Sequence, residues 1–312
     1  MTTTENTENM TKATSAEKAP LRSPLGVLTT ATATHGTGRD GDIPLPRLPG
    51  FVESAFSPLA YEVAARCLTE RADGGTSRSS EAERGGGTRT AVALASLMGD
   101  TTTADLASRR VVSGRVHNPL LFMQATANSV LGHISREFGI TGQMFSLSTL
   151  DDPVTELLAM ADLLLEDPEL DQVLMMGVEL GGGERLAAVY RELSAGSDRP
   201  VPDLPESAGS AVAVLLGRPG AGAPVTIRST ESYDGAHPAP AAHPGSVQGL
   251  FDLAAAHRRL LRDGGTHVLV TDPRAPAFLL TADSPTPPHA LPQAPPHASL
   301  PEGNETETHA HQ

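Results

Sequence analysis

Between Gly142 and Glu166 the sequence commits to a strand, a tight turn and an acid-capped helix in quick succession. Gln143-Met-Phe-Ser-Leu-Ser-Thr149 alternates and is apolar enough to predict a buried strand. Asp152 then stands as N-cap before Pro153, which suits the first helical position because its missing N–H has no intrahelical partner there, and Glu156 adds negative charge to the first turn. Val154, Leu157, Leu158, Ala161, Leu164 and Leu165 recur at helical spacing and form one apolar face. A unit of this kind needs neighbouring strands and a second layer. It also places one turn residue, Asp151, at the positive end of a helix, where enzymes hold a nucleophile beside backbone N–H donors.

The rest of the chain supplies the partners. Gly26–Thr34 reads as a β-branched strand ending at His35-Gly-Thr-Gly38, and Ser57-Pro58 starts a helix running to about Glu70, with Ser57 as N-cap. Ala72 to Thr88 is a Gly- and Ser-rich loop, followed by a short buried strand over Arg89–Ser96. Leu120–Phe138 reads as one helix closed by Gly139. Further strands fall at Asp171–Gly177, Ala208–Leu216, Pro224–Ser232 and His267–Val270, and further helices at Arg185–Leu193 and Val247–Arg262. Strands alternating with helices predict an α/β layered fold. Residues 1–22 and the Pro- and His-rich residues 284–312 hold too few large apolar side chains to offset the entropy of ordering, so both are expected to be disordered tails around one domain at 23–283.

Charge narrows the function. A formal net charge of −14 with scattered arginines argues against nucleic acid, which requires clustered Lys and Arg. It also repels acidic partners unless a local basic patch exists. No apolar run reaches membrane-span length and no secretory signal is evident, so a cytoplasmic location is expected. The single cysteine, Cys67, lies in an amphipathic helical stretch and reads as a buried apolar residue. His117, His133, His237, His243, His257 and His267 have no metal-ligand spacing, and the tail histidines belong to a low-complexity segment. Met123, Met144, Met175 and Met176 read as core, and Gly181–Gly183 as a turn lacking a phosphate-loop lysine. No metal or cofactor is expected.

At Gly142-Gln-Met-Phe-Ser-Leu-Ser-Thr-Leu-Asp151 the sequence resembles the nucleophile segment of the β-ketoacyl synthases, with equal spacing from the glycine to the nucleophile position. Asn128-Ser-Val-Leu-Gly-His-Ile-Ser135, Val173-Leu-Met-Met-Gly-Val-Glu179, Glu206-Ser-Ala-Gly-Ser-Ala-Val-Ala-Val-Leu-Leu216 and the stretch from Val225 to Ala236 resemble further family segments in the family's order. The resemblance spans about residues 25 to 240 and implies a thiolase-like fold: a mixed five-stranded sheet layered with helices, one half of a ketosynthase. His35-Gly-Thr-Gly38 is similar to a histidine motif of the family's second half but lies at the wrong end of the chain.

Asp151 stands where the family has its cysteine. A carboxylate accepts acyl groups poorly, and an acyl-aspartate is a labile mixed anhydride. The resemblance therefore implies a condensation-incompetent, chain-length-factor-like accessory protein in a bacterial polyketide or fatty-acid pathway, with no confident catalytic residue and no enzyme activity of its own. Its partners would be a ketosynthase-like subunit or a second copy, with an acyl carrier protein as a further one. The apolar face of the helix at 152–166 is expected to lie open as the interaction site. An alternative is an acyltransferase or decarboxylase of acyl or malonyl thioesters. On that reading donors near Asp151 would stabilise an oxyanion or enolate. Asp151 and Asp152 are otherwise helix caps, or an acid/base pair lacking a second catalytic group.

Overall fold

The computed structural model describes residues 21–73, 87–114, 120–148, 152–195, 204–220, 222–230, 247–271 and 277–282. Residues 1–20 and 283–312, most of the loop after residue 72, Asp151, His117, His237, His243 and residues 231–236 of the resemblance lie outside them. Leu21 and Arg22, expected in the N-terminal tail, instead join the domain: the Leu21 N–H donates to Ser229 Oγ and Arg22 pairs with Asp162 and Glu166. The strands are β1 (Leu25–His35), β2 (Thr90–Ala95), β3 (Met144–Leu147), β4 (Gln172–Leu180), β5 (Gly209–Gly217), β6 (Val225–Ser229), β7 (Gly265–Leu269) and β8 (Phe278–Ala282). The helices are α1 (Phe56–Asp73), α2 (Thr101–Val112), α3 (Leu120–Gln124), α4 (Ala127–Phe138), α5 (Pro153–Leu164), α6 (Glu184–Ala195) and α7 (Gln248–Asp263).

All eight strands form one sheet in the order β3-β2-β4-β5-β1-β6-β8-β7. The expected five-stranded mixed sheet is its first part. β2 runs parallel to β3 and β4, and β5 lies antiparallel between β4 and β1. The strand count exceeds the expectation because β6, β8 and β7 extend the sheet, all antiparallel, beyond β1.

Two apolar layers hold the sheet. β4 and β5 are buried along their whole length, so both faces must be apolar and the sequence there is a continuous apolar run. Val173, Met175, Val212, Val214 and Leu216 face α5 and α7, whose Val154, Leu157, Leu158, Leu250, Leu253 and Leu260 complete that core. Leu174, Met176, Val178, Ala211, Ala213 and Leu215 face α1 and α4 on the other side, against Leu59, Val63, Cys67, Val130, Leu131 and Ile134. Cys67, Met175 and Met176 are thus core residues, as expected, whereas Met123 and Met144, also read as core, are exposed.

Several boundaries differ from the sequence reading. Ser57 lies inside α1 and does not cap it: Ser54 Oγ accepts the Phe56 N–H at 3.1 Å, and the Leu59 N–H reaches the Ala55 carbonyl. The expected single helix over 120–138 is two, because Thr126 adopts an extended backbone and starts α4 afresh. Gly139 closes α4 as expected, in the left-handed conformation with φ 64°. β3 is a half-exposed edge strand, not a buried one, since β2 is its sole described neighbour.

Candidate functional site

The parallel strands β2, β3 and β4 end at the same side of the sheet, where α2, α5 and α6 begin. The N-terminus of α7 joins them, with the Val247 N–H directed at Glu179 of β4. Open α/β sheets place ligands at this end, and helix N-termini favour negative charge there. This is the candidate site.

Two of its positive helix ends are capped by buried aspartates. Asp100, buried, caps α2 by accepting the Thr103 N–H at 3.0 Å and the Thr103 hydroxyl at 2.7 Å. Burial raises its pKa, opposed by the hydrogen bonds from Thr103 and Ser54. Asp152, equally buried, caps α5: Oδ1 accepts the Thr155 N–H at 3.2 Å, and Oδ2 accepts the hydroxyl of Thr155 and, at 2.7 Å, that of Thr271. The sequence reading of Asp152 as N-cap therefore holds. A carboxylate fixed by these donors is held as a structural acceptor rather than poised as a base.

Glu179 is the third buried acid of this end. The Tyr190 hydroxyl of α6 donates to its Oε1. Burial raises the Tyr190 pKa, and the neighbouring Glu179 charge and their hydrogen bond raise it further, so the phenol stays protonated. The cluster locks α6 and α7 onto the end of β4. Gly177 lets α7 approach: a Cβ there would lie 2.7 Å from Leu250 and 2.8 Å from Val247.

His35 and His133 make structural contacts. His35 Nδ1 lies 2.8 Å from the Ile43 carbonyl and closes the turn after β1. His133 packs against Phe51 and Tyr61. Among the described residues no cluster of three or more His, Cys, Asp or Glu is placed to hold a metal. No described helix is long and apolar enough to cross a membrane.

The expected interaction face is covered. Val154, Leu157, Leu158 and Ala161 of α5 are sealed beneath α7, whose Phe251 and Leu250 join the same cluster. The exposed apolar residues lie elsewhere. Val111 and Val112 end α2, and Leu120, Phe122 and Met123, the last 64% exposed, belong to α3, which packs beside it. On the same flank α4 leans on β3, whose Met144 is also exposed. The sequence showed these apolar residues, but the break at Thr126 that separates α3 from α4 was not visible in periodicity alone.

Neither a family model nor a curated protein matches the sequence. Solved structures do match in fold. A ketosynthase in complex with its chain length factor from Xenorhabdus doucetiae aligns at 16% identity and a TM-score of 0.51, over 82% of this chain and 98% of that one. The ishigamide ketosynthase/chain length factor aligns at 14% identity and a TM-score of 0.53, over 84% of this chain and 100% of that one. A type II polyketide synthase acyl-carrier protein in complex with its ketosynthase, bound to the hexaketide, aligns at 12% identity and a TM-score of 0.56, again over 84% and 100%. The fold is the thiolase-like fold of ketosynthase and chain-length-factor subunits. Each alignment spans the matched chain nearly end to end.

Proposed function

We propose that this chain is a ketosynthase-like partner subunit that does not itself condense acyl units, and that it pairs with a ketosynthase-like chain through the β3 edge and the adjoining α2–α3 surface. One observation supports the reading: among the described residues no strand pairs with the outer edge of β3. The Val92 N–H bonds the Gln143 carbonyl and the Ser96 N–H bonds the Leu147 carbonyl, so the odd-numbered residues of β3 face β2. Strand alternation turns the backbone groups of Met144 and Ser146 outward. From Gly142 to Ser148 there is no charged residue and no proline, the usual defences of an exposed edge. The apolar residues of α2 and α3 add surface that a partner would bury.

The three matched complexes support a subunit role in polyketide synthesis, and one of them also contains an acyl carrier protein. The satisfied Asp152 carboxylate supports its reading as a helix cap over membership of an acid/base pair. The test is co-expression with the ketosynthase encoded nearest the gene, followed by size-exclusion chromatography of this chain alone and together. Copurification that Ser146→Pro abolishes supports the reading. A stable monomer that captures nothing overturns it, and a homodimer through the same edge makes the second copy the partner.

A further inference from the structure

The described methionines divide by place. Met175 and Met176 are fully buried in β4, and Met160 packs against the core. Met98, Met123 and Met144 are 45%, 64% and 39% exposed, and all three stand on the flank of the sheet that β3 closes. Met144 opens β3. Met98 follows β2, where the Leu97 carbonyl accepts the Ser148 hydroxyl at 2.6 Å just past the other end of β3. Met123 belongs to α3, which packs on α2 and α4, and α4 leans on β3. Met1 and Met10 lie outside the described residues.

Thioethers are the soft, oxidisable groups of this surface. The chain has no tryptophan, and its single cysteine, Cys67, is sealed in the core. A peroxide in solution therefore meets Met98, Met123 and Met144 before any other described sulfur. The sulfur lone pair attacks one peroxide oxygen, the S–O bond forms as the O–O bond breaks, and the proton on the transferred oxygen leaves with the departing hydroxide as water. The sulfur loses two electrons and the peroxide gains them. The product carries a strong polar acceptor where an apolar side chain stood. At Met144 it supplies the polar guard that the β3 edge otherwise lacks.

We propose that Met123 and Met144 are peroxide-sensitive modification sites that switch subunit pairing off, an inference that rests on the reading of the β3 edge and the α2–α3 surface as the pairing face. Oxidation of the free chain places two sulfoxide oxygens in a surface that pairing would bury, where each loses its water and gains no assured donor. Pairing acts in the opposite sense, because a partner on this face covers both sulfurs and keeps peroxide from them. The switch leaves the domain itself intact: both side chains are exposed, so their oxidation opens no cavity in either apolar layer. Sulfoxide reductases return the thioether, which makes the switch reversible.

The full chain is treated with hydrogen peroxide, quenched with free methionine and mapped by peptide mass spectrometry. Its pairing, with itself or with the ketosynthase encoded nearest the gene, is read by size-exclusion chromatography over a concentration series. Met98, Met123 and Met144 are expected to gain one oxygen each ahead of Met160, Met175 and Met176, with the thermal midpoint near that of the untreated chain. Pairing affinity is expected to fall by ~10-fold or more and to return after methionine sulfoxide reductases A and B. In M123L/M144L the ratio of treated to untreated affinity should stay within about 2-fold, whatever the untreated value. Peroxide added to the assembled pair should leave Met123 and Met144 unmodified. An untreated chain that pairs with nothing overturns the pairing reading itself. If the untreated chain pairs, the redox proposal alone falls on any of three results: pairing that survives oxidation of both sulfurs, a loss that the reductases do not reverse, or equal oxidation of Met123 and Met144 in the free and paired chain.

Discussion

The Thr271 hydroxyl donates to Asp152 Oδ2 across 2.7 Å and joins the segment after β7 to the start of α5. Asp152 thus serves as helix cap and as tertiary tie together. Asp152→Ala removes both and leaves the Thr155 N–H without its cap, so a loss of about 2–3 kcal/mol is expected. Thr271→Val, which removes the tie alone, should cost about 1 kcal/mol. Urea unfolding of both variants and of the double variant checks the point: non-additivity of ~0.5 kcal/mol or more is expected, and strict additivity would mean the tie contributes nothing.

His257 gives the fold an acid sensitivity. It is buried on α7, with Nδ1 3.1 Å from the Thr30 hydroxyl of β1. Its pKa is lowered from 6.5 to about 4, chiefly by burial, which the Val27 backbone opposes and the Arg258 charge assists. Folding therefore favours the neutral ring. That contribution is complete above the unfolded value of 6.5 and is lost progressively as pH falls towards 4. The full contribution is on the order of 3 kcal/mol. The difference in unfolding free energy between wild type and His257→Gln, measured at about pH 7.5 and about pH 4.5, should shrink in the acid. A constant difference would show that His257 does not titrate on unfolding.

The α5 unit was legible because its signals are local: Asp152, Pro153 and the following apolar positions fix cap, start and buried face without reference to the rest of the chain. The central strands were legible because burial on both faces leaves continuous apolar runs. α2 was missed because Thr101, Thr102 and Thr103 are weak helix formers and Asp100 is its clearest signal. β8 was missed because Phe278–Ala282 is short and is defined by pairing with β6 and β7. The candidate site was only partly legible. Asp152 could be read as a cap, but Thr271 reaches it from 119 residues away. The covered face of α5 failed as an expectation for the same reason, since α7 seals it from a distant part of the chain.

The α3 surface separates association from stability. Phe122 and Met123 are 51% and 64% exposed, so replacing them with Ser and Gln should change monomer stability by no more than ~0.5 kcal/mol. Under the pairing proposal, however, both side chains lie beside the interface. The double variant should elute later on size exclusion and lose co-purification with a ketosynthase-like partner, while its thermal midpoint stays near wild type. Unchanged association would remove α3 from the interface and leave the β3 edge alone.

Gly177 tests how closely α7 must approach the sheet. Its backbone is ordinary β-strand, so conformational freedom is not the reason for glycine; space is. An alanine Cβ would meet Leu250 Cδ1 at 2.7 Å and Val247 Cγ1 at 2.8 Å, well inside contact distance. Those atoms are branch ends on α7 and the residue before it, packed in the core, so they yield only by shifting α7. Gly177→Ala should therefore cost about 1–3 kcal/mol by overpacking. Adding Leu250→Ala should recover part of the overpacking loss while introducing a cavity cost of its own, and the sign of the coupling is the decisive quantity. A favourable coupling of ~1 kcal/mol or more in urea unfolding places the steric limit at the β4–α7 contact; no coupling would mean that α7 tolerates the extra carbon by moving freely.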